Sequence, residues 1–444
     1  MTRSAGTTRL PRLRRDHLID LRPFAASPAF TRMWIGSTLA GLGGQLTIVA
    51  VMLHVYDLTG STFAVAMIAV AGLLPMVVAG IYGGMLADAF DRRIVALVAA
   101  AITFGSTVLL AVLAWTQGET VGWLYALSVV NAAANSIVMA TRQAIVPRLI
   151  PRELLPAASA LNGITVGIMV MVGPALAGVL VAFTGYAWTY TLDVVLMSAM
   201  FLGLWTLPAL RPEGTVVRPG WESLRDGWRF LRRAPNIRLQ FGLDIIAMTF
   251  GQPLALFPAI GAVLLGGGPI TTGALTAAIA AGALLSSLFS GPVGRVRRQG
   301  LGIERAILVY GGAIGLLGIV LAAGALGWFA PAIVDADSPN LVLIAAACVA
   351  MAIAGAADNV SSIFRNTMVQ AAVPDAIRGR LQGVFIVVVA GGPRVGALYA
   401  GTLATFTALW FPPLLGGMAI IAIVALLVRA SPRFRAYDAD HPSP

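Results

Sequence analysis

The sequence predicts an all-α membrane protein with twelve transmembrane helices in two six-helix pseudo-repeats. Three observations predict it. Of the 444 residues, 58% are hydrophobic and 11% charged, whereas soluble domains carry about 25% charged residues. The apolar residues gather in long runs, and a run of ~20 crosses a hydrocarbon core of ~30 Å. Arginines occupy every second connection between runs and are absent from the others.

The runs fall near 33–56, 62–86, 94–116, 121–141, 157–183 and 187–207, then 239–265, 270–293, 306–329, 340–364, 381–406 and 410–428. They divide the chain into a basic tail (1–29), a first bundle (30–207), a linker (208–238), a second bundle (239–428) and a closing tail (429–444). Cytoplasmic loops carry the excess of basic residues. Arg92 and Arg93 follow the second run, Arg142, Arg148 and Arg152 the fourth, and Arg295, Arg297, Arg298 and Arg305 the eighth. Arg365, Arg378 and Arg380 follow the tenth, and Arg429, Arg433 and Arg435 the twelfth. The connections 57–61, 117–120, 184–186, 266–269, 330–339 and 407–409 hold no Arg, only acids such as Asp57, Glu119, Asp335 and Asp337. Both termini are therefore expected in the cytoplasm. Arg3, Arg9, Arg12, Arg14, Arg15 and Arg22 make a basic start without the apolar core and cleavage site of a signal peptide.

The net charge is +11. Its confinement to loop positions points to topology, and no nucleic-acid partner is expected. In the linker, Trp221, Leu224, Trp228 and Leu231 recur at helical spacing with Arg225, Arg229, Arg232 and Arg233 mostly elsewhere on the wheel. That pattern fits a helix on the lipid surface or a linker helix packed on the protein. The halves echo each other. Arg142 to Pro151 matches Arg365 to Pro374, and Gly173-Pro174 matches Gly392-Pro393, as expected for parallel repeats.

Two motifs carry a mechanism. Gly84-Met85-Leu86-Ala87-Asp88-Ala89-Phe90-Asp91-Arg92-Arg93 joins the second and third runs. Gly84 permits close helix approach. Asp88, Asp91, Arg92 and Arg93 can form charge-assisted bonds that hold one conformation and break in another. In the fifth run, Gly163, Gly167, Gly173, Pro174 and Gly178 form a small-residue face with a proline bend. On these residues the chain resembles the major facilitator superfamily. The first segment matches its signature loop, departing from it at Ala89 and Asp91. An acid at the second of these positions is similar to the proton antiporters that include enterobactin and macrolide exporters. The second-half loop Gly291 to Arg298 keeps the basic residues but lacks the Asp. The glycine-proline face is an antiporter feature in that family, which implies export. The resemblance extends to Leu207-Pro208-Ala209-Leu210, Ser223 to Leu231 and Phe257-Pro258-Ala259-Ile260. The arginine common in the fourth helix of other drug antiporters is absent, with Asn131 and Asn135 in that region.

Ionisable residues inside the membrane are costly and often functional. Asp358 lies two turns inside the tenth run and is the first proton-coupling candidate; its alternative is a salt bridge to Arg365 or Arg394. Asp244 is the second, on a face with Met248 and Gln252; its alternative is an acid reaching water at the helix end. Arg394 is the lone arginine inside a run. It either receives an anionic substrate group or pairs with an acid. Asp193 is read as structural. Gln45, Asn131, Asn135, Met248, Gln252 and Arg394 are the candidates for a mostly apolar cavity with a few polar groups.

Other classes are disfavoured. There is no Lys, so no P-loop. Cys348 is the single cysteine, and His17, His54 and His441 lack metal-ligand spacing; neither a metal nor a cofactor is expected. The expectation is a monomeric secondary transporter in a bacterial inner membrane. It would export a siderophore or amphipathic drug in exchange for protons by alternating access. The alternative is a membrane enzyme or receptor on the same scaffold, which a solid core would favour.

Overall fold

The computed structural model describes residues 20–210, 228–288, 296–328, 339–373 and 375–438, apart from the side chains of Asp88 and 375–390. The tail arginines before Asp20, Trp221 to Arg225, Gly291 to Arg295, Asp335, Asp337, Arg378 and Arg380 lie outside this description.

The described residues are helical and contain no strand. The long helices are α1 (Pro28–Thr59), α2 (Thr62–Ala89), α3 (Arg92–Thr116), α4 (Val121–Leu149) and α5 (Leu155–Trp205) in the first half. The second half holds α6 (Pro235–Phe250), α7 (Gly268–Ser287), α8 (Gln299–Ala325), α9 (Leu341–Ala372), α10 (Asp375–Phe406) and α11 (Phe411–Arg429). Ten segments among the described residues are long and apolar enough to cross a membrane, and one of them, Arg152–Trp205, has 54 residues.

That segment contains two crossings. Gly185 breaks the helix with φ 78° and ψ −179°, a region open essentially only to glycine. On the near side of the break, Gly173 packs on Gln45. On the far side, Asp193 packs on Gly43, and Met200 on Gly36. As α1 runs backwards from 45 to 36, the second arm runs forwards from 193 to 200. The arms are antiparallel and share one partner helix.

The other boundaries follow from local chemistry. Ser27 accepts from Phe30 N at 3.2 Å and Ser61 from Ala64 N at 3.3 Å, which satisfies backbone donors that a helix start leaves open. Thr120 and Asn340 cap α4 and α9 in the same way. Gly60, at φ 61°, ends α1 in the left-handed conformation. The seventh crossing is discontinuous. After α6 the chain breaks at Gly251 and Pro253, makes a single 3₁₀ turn, and re-forms as a short α turn and the π turn Ile260–Leu264. Tyr310 donates its hydroxyl to Gly251 O at 2.5 Å, covering a carbonyl that the break leaves open.

Each half has its own core. Leu46, Leu110, Leu124 and Tyr190 centre the first; Ile237, Phe257, Ile314, Met351 and Ile420 centre the second. Leu231, from the end of the linker, joins the second core, while Trp228 is 55% exposed. After α11 the chain turns back. Phe434 and Tyr437 are buried against α8, and Arg435 Nε lies 3.2 Å from Glu304. Burial pushes the Tyr437 phenol up from its ordinary value.

Candidate substrate cavity and its flanking ion network

Three helices of the first half turn one stripe each towards a common space. On α4 the stripe is Ser128, Asn131, Ala132, Asn135, Ser136 and Met139; on α1 it includes Thr47, Val51 and Met52; on α2 it includes Ile68, Gly72 and Met76. Spacing by three and four puts each set on one helix face. The second half closes the space with Gln252 and Leu254 from the break after α6, and with Pro393, Arg394 and Ala397 from α10. The result is a cavity of about 510 Å³, within the range of small-molecule sites.

Arg394 is the charge in this wall. It follows Pro393, inside α10, and its Nη2 reaches Met76 Sδ at 3.0 Å across the junction of the halves. Asn131 Nδ2 lies 3.4 Å from Thr107 Oγ1 and 3.5 Å from Ser106 Oγ on α3, which turns its amide oxygen into an available acceptor. Of the six residues predicted for the cavity, Asn131, Asn135, Gln252 and Arg394 line it. Gln45 packs instead against Gly173, and Met248 against Gly392 and Gly396 of α10. The wall residues not anticipated include Met52, Met76, Met139, Ser128 and Ser136. The Ser-Asn stripe of α4 was the available signal.

Asp244 and Asp358 converge on one cation. Arg365 Nη1 donates to Asp244 Oδ1, joining α9 to α6, and Arg365 Nη2 lies 3.4 Å from Asp358 Oδ1. The Asp244 and Arg365 side chains are 5% and 12% exposed, while Asp358 is 42% exposed. The guanidinium is thus locked on its buried side and loosely held on its open side. Nearby, Asn359 Nδ2 donates to Ser286 Oγ at 2.9 Å, tying α9 to α7.

The loop between α2 and α3 is held by its second acid. Asp91 caps α3 by accepting from Arg93 N at 2.9 Å, and it accepts from Leu210 N at 3.1 Å. Arg92 donates to Ala87 O at 3.1 Å and to Ala144 O at 3.0 Å, crossing to α4. The Asp88 side chain lies outside the described residues. Among the described residues, no neighbouring helix comes within 4 Å of where a side chain on Gly84 would begin. The close approach of α2 to α4 is made at the adjacent Gly83 and one turn earlier at Gly80, where such an atom would lie 2.9 Å from Ile137 Cα and 2.7 Å from Ser136 Oγ.

The glycine-proline face of α5 serves two neighbours. Gly173 takes Gln45 of α1, while Pro174 and Gly178 meet Gly273 and Pro269 of α7 across the junction of the halves. Gly167 faces Leu284 further along the same crossing. The other junction is α2 with α10, where Thr62 Oγ1 donates to Gly401 O at 2.9 Å. Thr62, Gly401, Gly178 and Pro269 all lie near connections that hold no arginine.

A family model described as transmembrane secretion effector matches residues 20–443. The enterobactin exporter EntS of Shigella boydii serotype 18 is 29% identical over 416 residues, covering 93% of this chain and 94% of that protein. The exporter EntS of Escherichia coli O139:H28 is similar to the same extent, 29% over 416 residues. Among solved structures, a POT family transporter in complex with 5-aminolevulinic acid superposes with a TM-score of 0.70 at 12% identity, over 92% of this chain and 97% of that one. The xylose transporter XylE of E. coli, inward open, gives 0.65 at 13% identity, over 91% and 96%. At such identities the structures speak for the fold alone. The family match runs through both bundles and through the cavity between them: this chain belongs to the transmembrane secretion effectors, multi-pass transporters of the major facilitator superfamily.

Proposed function

We propose that this transporter exports a small organic anion of the siderophore type across the bacterial plasma membrane, exchanging it for protons by alternating access. The observation that carries the reading is Arg394 in the wall of a largely apolar cavity that both halves build. One cation among amides, hydroxyls and methionines suits an amphipathic molecule with an anionic group. The 29% identity to enterobactin exporters supports that substrate class. The bundles 30–207 and 239–428 are the units that rock about the cavity, and both termini stay on the cytoplasmic side.

With the arginine-free connections outside, the junctions Thr62–Gly401 and Gly178–Gly273 seal the outer end. The state is then inward-facing, ready to load from the cytoplasm. Asp358 is the proton-coupling group of this half. When it is protonated, Arg365 keeps only Asp244, and the loose side of the network opens. Proton entry supplies ~2.3 kcal/mol per charge per 100 mV of membrane potential.

The test is accumulation of enterobactin in inverted vesicles. A proton gradient, acid inside, is expected to drive it. Collapse of the gradient with a protonophore is expected to abolish it; accumulation that persists unchanged would rule out antiport. Asp358→Asn is expected to keep expression and lose gradient-driven accumulation.

A further inference from the structure

The seam between α1 and the second arm of α5 holds ionisable groups that the cavity wall does not use. Asp193 sits at its middle, 1% exposed. Thr47 Oγ1 donates to its Oδ2 at 2.5 Å. Its Oδ1 is buried with no hydrogen-bond partner. A charged carboxylate with one neutral donor and no cation is expensive in a membrane. The neutral acid, with a proton on one oxygen, suits this site better.

The neighbours of Asp193 lead in two directions. Towards the arginine-free end, Tyr190 stands one helical turn away on the same arm, where Cβ atoms are about 5–6 Å apart. The Tyr190 hydroxyl lies 3.2 Å from His54 Nδ1, and His54 Nε2 lies 3.5 Å from Glu119 Oε1. Glu119 belongs to an arginine-free connection and is 18% exposed. Tyr186 stacks on the His54 ring at 4.0 Å and donates to Asp57, an exposed acid at the same end. Towards the other side, Thr47 is itself part of the cavity wall. The third helix on this seam, α3, meets the arm with Trp115, Thr107 and Phe104, none of them ionisable. On α1, Gly43 and Thr47 face the carboxylate, and His54 is the titratable group two turns further along. His54, Tyr190 and Glu119 are thus the titratable groups further along this seam, while the carboxylate itself bonds only to Thr47 among the described residues.

We infer that Asp193 is a proton-binding site of the first half that exchanges its proton with the cavity through Thr47. The inference rests on the proton-antiport reading and adds to it a carboxylate remote from Asp358 and Arg365. When the acid carries its proton on Oδ2, the hydrogen bond to Thr47 reverses, and Oδ2 donates to Thr47 Oγ1. That proton passes to Thr47 as Thr47 releases its own to water in the cavity. One proton leaves, and Thr47 is again a hydroxyl donating to the carboxylate. In the sealed state the loaded site touches the cavity through a single hydroxyl, which suits exchange of one proton for substrate.

The test uses the full-length protein in lipid nanodiscs and needs no substrate in its first arm. Isotope-edited infrared difference spectra between acid and alkaline pH are expected to show the carbonyl band of a titrating protonated carboxyl. Asp193→Asn is expected to lose that band, and Asp358→Asn to keep it. Thr47→Val, which leaves the carboxyl in place, is expected to shift the band. A band unchanged in Asp193→Asn, or unshifted in Thr47→Val, overturns the assignment. In the second arm, enterobactin in inverted vesicles, Asp193→Asn is expected to lose at least tenfold in gradient-driven accumulation while enterobactin exchange across the membrane persists. If wild type is gradient-driven and Asp193→Asn matches it, Asp193 is not the site and antiport stands. If wild type exports enterobactin without regard to the gradient, antiport itself fails.

Discussion

Arg394 lies inside a long apolar helix, where a charge is costly, and its guanidinium stands in the wall of the cavity. A hydrogen bond to a charged group contributes about 1.5–3 kcal/mol, so Arg394→Gln is expected to raise the KM for an anionic substrate roughly 10- to 100-fold. Arg394→Lys, which keeps the charge but not the fork, is expected to recover part of that loss. Initial rates of enterobactin accumulation at a series of concentrations measure it. Arg365 makes the opposite case, a cation whose work is internal. Breaking a buried ion pair leaves an uncompensated charge at about 3–5 kcal/mol. Arg365→Met is therefore expected to lower thermal stability in detergent by that order, and Asp244→Asn added to it to restore a good part. Sequence inspection finds such residues readily, because a charge in an apolar run is conspicuous. Their partners are invisible to it: Asp244 and Arg365 are far apart in the chain, and only the packing of α6 on α9 joins them. The surroundings of His54 are hidden for a similar reason, since Glu119, Tyr186 and Tyr190 come to it from other elements.

The helices themselves were legible to the extent that hydrophobicity marks them. Ser27, Ser61, Asp91, Thr120 and Asn340 stand at starts that the apolar runs already indicated. α4 and α9 run on to Leu149 and Ala372, well past the ends of their runs at 141 and 364. Those extra turns carry arginines and amides, which hydropathy discards but a helix tolerates in water. The break after α6 was legible only as Gly251 and Pro253; that Gln252 would thereby reach the cavity depends on the fold. The glycines of α5 and α10 act at the scale of crossings. A side chain begun at Gly401 would lie 2.7 Å from both Ala66 Cβ and Thr62 O, with backbone in the way. Gly401→Leu is accordingly expected to pry α2 from α10 and shift the protein towards its outward-open state. A cysteine replacing Ala69 in a Cys348→Ser background reports the shift, through faster labelling by an impermeant thiol reagent from the outer side. Equal labelling in the parent and the Gly401→Leu variant would mean that this junction is not the seal.

At the scale of the molecule, two bundles with separate cores meet along α2–α10 and α5–α7, and the cavity lies between those seams. The division into halves was readable from the repeated Arg-to-Pro and Gly-Pro spacings, because repeats leave a linear trace. The side on which the cavity opens was not, because the packing of the halves sets it and residue order does not. An inward-facing arrangement predicts that Asn135→Cys, again without Cys348, is labelled by an impermeant reagent in inverted vesicles and much more slowly in intact cells. The reverse order would place the opening on the other side. The turn at Gly185 bears on how such a molecule is made. The stretch Leu155–Trp205 runs 51 residues, and Gly185 is the single non-helical residue within it. No polar loop stands between the arms, so they are expected to enter lipid together as a helical hairpin. Once inserted, they offer almost no peptide at the surface where they turn for a protease or an antibody to grip.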